Sequence, residues 1–200
     1  CGIVGADGET HHGCLDYLSQ IPGMTVLVPA SFDELRQMLR RAVEDIPGPV
    51  AVRYPRGGEN GYAGGWNGDA VQVLREGGDA AVVTCGILTG EVLRAADALQ
   101  AEGVGVRVVK LAQVSPLNGK ELCAALDGVK RLVVAEDQLR AGGLGERLSA
   151  MLLEQDAGIG KIRLRNAGTA LPTQGSAAQL WHELGLDAEG IAQAVREVLA

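Results

Sequence analysis

Residues 5–13, GADGETHHG, put three glycines, two carboxylates and two adjacent histidines into nine positions. Such residues can hold a metal, cradle a phosphate or move a proton. Neighbouring side chains diverge in both helix and strand, so His11 and His12 are badly placed to share one zinc ion. No Gly-Lys-Ser/Thr follows, so the stretch is not a P-loop. Two readings stay open. A glycine-rich loop lets backbone N–H groups approach a ligand, with Asp7 and a histidine orienting or exchanging protons near neutral pH. A type I or I′ turn over ADGE explains the same residues without chemistry.

Three further groups carry chemical potential. In RYPRG (53–57), Arg56 ends a strand just before a run of glycines. Its guanidinium suits a phosphate or carboxylate held by two parallel hydrogen bonds, and equally a solvated surface. AEDQLRAGGLGERL (135–148) places Gly142, Gly143 and Gly145 before a helix. The spacing is not G-x-G-x-x-G, so a tight strand-to-helix turn is expected rather than a dinucleotide site. Trp181 and His182 lie on an amphipathic helix and read as packing residues. Cys1, Cys14, Cys85 and Cys123 are scattered with no CxxC, which argues against a zinc or redox site. Cys85 and Cys123 sit in apolar surroundings and read as buried thiols, and a reducing cytosol fits this usage.

Strands alternating with helices must position these groups. Residues 24–30 and 48–56 read as strands, and 31–45 between them as a helix with a Ser31/Glu34 capping box. Its Leu35, Met38, Leu39, Ala42 and Val43 fall on one face, expected to be the core side. Residues 57–69 hold six glycines and no periodicity, hence a loop or linker. Strands are then expected at 79–87, 106–114, 131–137 and 161–168. Helices are expected at 89–103, 118–129, 143–156, 176–184 and 187–199. This alternation implies parallel sheets with right-handed crossovers and ligands at the carboxyl ends of strands. The segment from about 70 to 200 looks complete. The first 60 residues look too short to close a doubly wound sheet, so they should lean on something outside this sequence.

Composition bounds the rest. With 46% apolar and only 3% aromatic residues, aliphatic side chains must fill the core. A net charge of −7, without a basic stripe, argues against nucleic acid as a partner. No apolar run approaches a membrane span, and there is no signal-peptide pattern. The sequence opens on CGIVGADG without an initiator Met, which reads as the middle of a domain: a fragment, a processed chain, or one piece of a split enzyme.

GADGETHHG, VLVPASFDELRQML and GPVAVRYPRG, in that order, resemble the 1-deoxy-D-xylulose-5-phosphate synthase family, thiamine-diphosphate enzymes of the transketolase superfamily. VVAEDQLRAGGLGERL and HELGLDAEGI resemble that family's C-terminal domain. The likeness is strongest over 2–57 and thinner over 58–130. It implies an α/β architecture: the end of a doubly wound pyrimidine-binding domain (1–60), a linker (61–72) and a small α/β transketolase C-terminal domain (73–200). It implies an enzyme that joins pyruvate to D-glyceraldehyde 3-phosphate with loss of CO2, in isoprenoid, thiamine and pyridoxal precursor supply. Asp7 and His11 match the family's active-site Asp and His: His11 orients the donor carboxylate or the derived intermediate, with Asp7 its polar neighbour. Arg56 matches the arginine used on the acceptor phosphate. His12 falls where the family varies and receives no role.

The chain departs from the family twice. CLDYLSQ is shorter than the family's usual stretch, and NAGTALPTQGS replaces its usual segment near the end. The family's diphosphate and Mg²⁺ motif, its activating glutamate and its ring-holding aromatics lie upstream of residue 1. Thiamine diphosphate and Mg²⁺ are therefore expected in the complete enzyme, with no cofactor-binding or metal residue in this chain. The implied partners are an N-terminal portion of the same enzyme and a second copy in a cytoplasmic homodimer. Alone, the chain is expected to be inactive. Two other readings stand beside this one: a split transketolase-like subunit with another ketol donor, and a non-catalytic α/β interaction module.

Overall fold

The computed structural model describes residues 2, 3, 5, 16–170 and 172–200. Among them the order is β1 (Thr25–Leu27), α1 (Phe32–Glu44), β2 (Val50–Val52), β3 (Val71–Arg75), β4 (Ala80–Cys85), α2 (Thr89–Ala101), β5 (Val106–Leu111) and β6 (Gln113–Ser115). Then come α3 (Gly119–Ala125), β7 (Arg131–Ala135), α4 (Leu144–Glu154), β8 (Lys161–Arg165), α5 (Ala177–Leu184) and α6 (Ala188–Leu199).

The larger sheet has the order β3-β5-β4-β7-β8. β5, β4, β7 and β8 run parallel, while β3 is an antiparallel edge. Every residue of β4 is buried, as a central strand covered on both faces requires. Alternation divides its side chains. Ala80 and Val82 join Val106 and Val108 beneath α2 and α6, whose Val92, Leu99, Ile191 and Val195 complete that layer. Ala81 and Val83 join Val109, Leu111, Leu132 and Val134 on the other face, against Leu144, Leu148 and Leu152 of α4.

The smaller sheet, β2-β1-β6, joins the two segments. β1 pairs in parallel with β2 and antiparallel with β6, which comes from the second segment. Val26 faces the main core, while Leu27 faces a small cluster with Met38 and Ala112. The leading segment thus shares a core with the rest of the chain.

Several expectations are corrected here. The strand expected over 106–114 is two strands in two sheets. The second segment is therefore not closed on itself, and antiparallel β3 went unforeseen because its residues are half-exposed edge residues. The helix expected over 118–129 is the shorter α3. Cys85 is buried, but Cys123 is only partly so. In α1 the expected core face is mostly not core. Met38 is buried, whereas Leu39 is 46% and Val43 86% exposed, with Phe32 beside them at 51%.

Candidate functional site

Open α/β sheets bind ligands where neighbouring crossovers leave to opposite faces. In the larger sheet that crevice lies past the ends of β4 and β7, because α2 packs on one face and α4 on the other. It is filled by the protein itself. Arg53, just past β2, pairs through Nη2 with Asp137 Oδ1 at 2.6 Å, and both side chains are buried. The Arg53 guanidinium also lies against Gly86, at the end of β4. Gly2 closes the top: a Cβ there would sit 2.0 Å from Asp137 Oδ2, and its φ of +87° favours glycine independently.

The glycine turn before α4 is likewise committed. Glu136 is buried, and its carboxylate accepts from the N–H groups of Leu144 (2.6 Å) and Gly145 (2.9 Å). Helix N-termini attract anions, and here the anion is a side chain of the same chain. A Cβ on Gly143 would stand 2.9 Å from Glu136 Oε2 and 2.6 Å from the Leu139 carbonyl. The strand-to-helix turn expected from sequence is therefore present as a self-capped turn.

An open cleft lies between the start of α1 and the turn after β2. Pro29, Ala30 and Phe32 line one wall, and Tyr54, Gly57 and Glu59 the other. Arg56 is carried by that second turn, exposed, and does not itself line the cleft. Asp7, His11 and His12 lie outside the described residues, as do Cys1 and Cys14. Just before them, Ile3 packs with Ala167 and Leu180, and Gly5 lies close to the backbone that opens α5.

Hydrogen bonds tie the cleft walls together. The Phe32 N–H donates to Glu59 Oε1 at 2.5 Å. Ser31 Oγ accepts from the Glu34 N–H (3.1 Å) and donates to the Gly64 carbonyl (2.7 Å). The expected capping box is thus half formed. Glu34 turns inward instead, accepts from the Ala30 N–H at 2.8 Å and makes a fully buried ion pair with Lys110 of β5. Tyr62 donates to Glu34 at 3.3 Å, and its ring lies 5.2 Å from Lys110 Nζ. Burial, with the Glu34 charge second, pushes the Tyr62 phenol up to about 12. Burial pushes the Lys110 ammonium down, against the opposing hydrogen bond and charge of Glu34. Farther along, Arg41 stacks 4.8 Å from the Trp66 ring and donates to the Gly68 carbonyl. The glycine-rich loop is therefore strapped to α1.

Sequence reasoning missed Lys110, Asp137 and the inward role of Glu34. A lone lysine inside the apolar run VRVVKLA was the available signal. It also misread His182. Trp181 packs against the small Ile3–Leu180 cluster, but His182 is 73% exposed and bonds Asp187 at 2.6 Å.

The comparisons agree with this architecture. Residues 1–59 match the transketolase pyrimidine-binding domain, and residues 69–191 match the transketolase C-terminal domain. The chain belongs to the transketolase family. Within it, the chain is 35% identical over 204 residues to the 1-deoxy-D-xylulose-5-phosphate synthase of Chlorobium phaeovibrioides, covering 98% of this chain and 32% of that protein. It is 37% identical over 206 residues to the synthase of Syntrophotalea carbinolica, covering 99% of this chain and 32% of that one. This chain thus spans about a third of those relatives' length. A solved split-gene transketolase, described as an inactive β4 tetramer, superposes with a TM-score of 0.84 at 29% identity over 98% of this chain and 65% of that one.

Neither the glycine turn before α4 nor the β4/β7 crevice fits a metal-bound diphosphate. The helix N-terminus behind the glycine turn already holds the Glu136 carboxylate, and the crevice between β4 and β7 holds Arg53 paired with Asp137. Among the described residues no group of three or more His, Cys, Asp or Glu could hold a metal ion.

Proposed function

We propose that this chain forms the substrate-side part of a 1-deoxy-D-xylulose-5-phosphate synthase, joining pyruvate to D-glyceraldehyde 3-phosphate with loss of CO2. The observation that carries this is the 35–37% identity to such synthases across 98% or more of the chain. It includes the stretches that hold Asp7, His11 and Arg56. In this reading His11 orients the donor carboxylate, Asp7 supports it, and Arg56 grips the acceptor phosphate with parallel charged hydrogen bonds. Thiamine diphosphate and Mg²⁺ are assigned to an N-terminal portion, in line with the family resemblance. The working unit is a cytoplasmic homodimer of both portions.

The exposed apolar stripe on α1 supports an additional portion. Phe32, Leu39 and Val43 occupy one side of a helix whose other side is already packed, and such stripes are normally covered. The test is CO2 release from pyruvate with D-glyceraldehyde 3-phosphate, thiamine diphosphate and Mg²⁺. This chain alone should give none, and the chain combined with an N-terminal portion should turn over. Turnover by the chain alone, or none by the combination, refutes the reading.

The split-gene transketolase neighbour favours a second reading, a transketolase-type subunit with another ketol donor. Product analysis of the combined enzyme separates the two.

A further inference from the structure

The Lys110–Glu34 pair joins the two family domains at a place the proposed chemistry does not use. Lys110 comes from β5, deep in the larger sheet, and Glu34 from the first turn of α1, 76 residues earlier. Both side chains are fully buried. An ion pair this deep is an expensive way to gain stability, because desolvation cancels much of the attraction. Its hydrogen bonds indicate what it achieves.

The second oxygen of the Glu34 carboxylate accepts from the Ala30 N–H, in the wall of the cleft. Its first oxygen also meets Tyr62, on the glycine-rich loop that begins at the Arg56 turn. Ser31, which caps the Glu34 N–H, holds the Gly64 carbonyl of the same loop. One carboxylate therefore holds both the wall before α1 and the loop that continues from the facing turn. Lys110 is the buried countercharge that holds this carboxylate in place inside the protein.

We propose that Lys110 is a positioning residue: acting through Glu34, it fixes the spacing between the α1 wall and the Arg56 turn, and so the site for a phosphorylated acceptor. The C-terminal domain thereby shapes a substrate site on the pyrimidine-binding domain. The link to the acceptor rests on the synthase reading above; the latch itself does not.

Two measurements test it. In this chain, Lys110→Met should lower hydrogen-exchange protection at Ala30, Glu34 and Leu35 at least tenfold and leave α6 unchanged. The double variant Glu34→Gln/Lys110→Met should recover it, since the glutamine carbonyl still accepts from Ala30 without a buried charge. In the combined enzyme, Lys110→Met should raise the KM for D-glyceraldehyde 3-phosphate about tenfold, with kcat and the pyruvate KM within twofold, and the double variant should reverse this. Unchanged protection at 30–35 overturns the latch. A KM unchanged, or kcat and both KM values moving together, overturns its role toward the acceptor. A wild-type enzyme that makes no 1-deoxy-D-xylulose 5-phosphate refutes the synthase reading and the acceptor link with it, while exchange still decides the latch.

Discussion

Arg53 and Asp137, 84 residues apart in sequence, meet at 2.6 Å in the crevice past β4 and β7. Their side chains are 4% and 2% exposed. The crevice where an α/β domain of this kind could take a ligand is thus plugged by the neighbouring domain.

Removing one partner of that pair takes a buried countercharge away from the other. Asp137→Ala should therefore destabilise the chain by about 3–5 kcal/mol, the usual cost of halving a buried pair. Urea denaturation with a shared slope measures it. A loss under about 1 kcal/mol would mean that water reaches the crevice.

Gly90 sets a second close approach. A Cβ there would lie 1.7 Å from the Asn60 carbonyl oxygen, a backbone atom that cannot rotate away. Alanine gains at most about 1 kcal/mol of helix propensity over glycine. Overpacking costs about 1–3 kcal/mol, so the clash wins. Gly90→Ala should lower Tm. Gly58→Ala, with nothing within 4 Å of its new Cβ, should stay within about 0.5 kcal/mol of the parent.

His182 offers a pH signature. Its hydrogen bond to Asp187 holds the imidazole pKa above the ordinary 6.5, with the Asp187 charge second. A raised folded-state pKa stabilises the fold fully below the unfolded value, and the benefit is lost as pH rises through the folded one. Tm should therefore fall with pH above 6.5 more in the parent than in His182→Gln, and the two curves should run parallel well above the raised pKa. Curves parallel throughout would mean that Asp187 serves only to cap α6, where its other oxygen accepts from the Gly190 N–H at 2.9 Å.

Local pattern revealed the elements that depend on neighbours in sequence. Ser31 caps α1, and Leu144, Leu148 and Leu152 line the buried face of α4. It failed where distant residues decide. Nothing in VRVVKLAQV marks Ala112 as the place where the chain leaves one sheet for another; the Ala112 N–H simply donates to Ala70 instead of to a strand partner. The exposed side of α1 misled for a related reason. Leu39 and Val43 have the right period for a core face, but period does not reveal which body supplies the core. The motifs around Asp7, His11 and Arg56 pointed to a family, whereas Lys110, Glu34 and Asp137 became visible only as contacts.

Arg56→Ala tests the acceptor site directly. Should its guanidinium hold the acceptor phosphate in the combined enzyme, removal costs about 1.5–3 kcal/mol of acceptor affinity, as expected for a charged hydrogen bond. The KM for D-glyceraldehyde 3-phosphate should rise accordingly, while that for unphosphorylated glyceraldehyde changes little. An unchanged KM for D-glyceraldehyde 3-phosphate, or equal effects on both acceptors, would show that Arg56 does not grip the acceptor phosphate.

The α1 stripe makes the last prediction, on association rather than catalysis. Leu39 and Val43 stand on a helix whose charged neighbours are already paired with one another, Arg40 with Glu44 at 2.8 Å and Arg36 with Asp33. Those pairs leave the apolar residues between them as the free contact area. Substitutions at exposed positions usually change stability by less than about 0.5 kcal/mol, so Leu39→Gln/Val43→Ser should hardly alter the unfolding of this chain. Covering a leucine or valine is worth about 1.5–3 kcal/mol, so loss of that cover should weaken binding to an N-terminal portion at least tenfold. Titration calorimetry of the two portions reads the change. Equal affinities for parent and variant would show that the N-terminal portion docks elsewhere and that α1 faces solvent in the assembly as well.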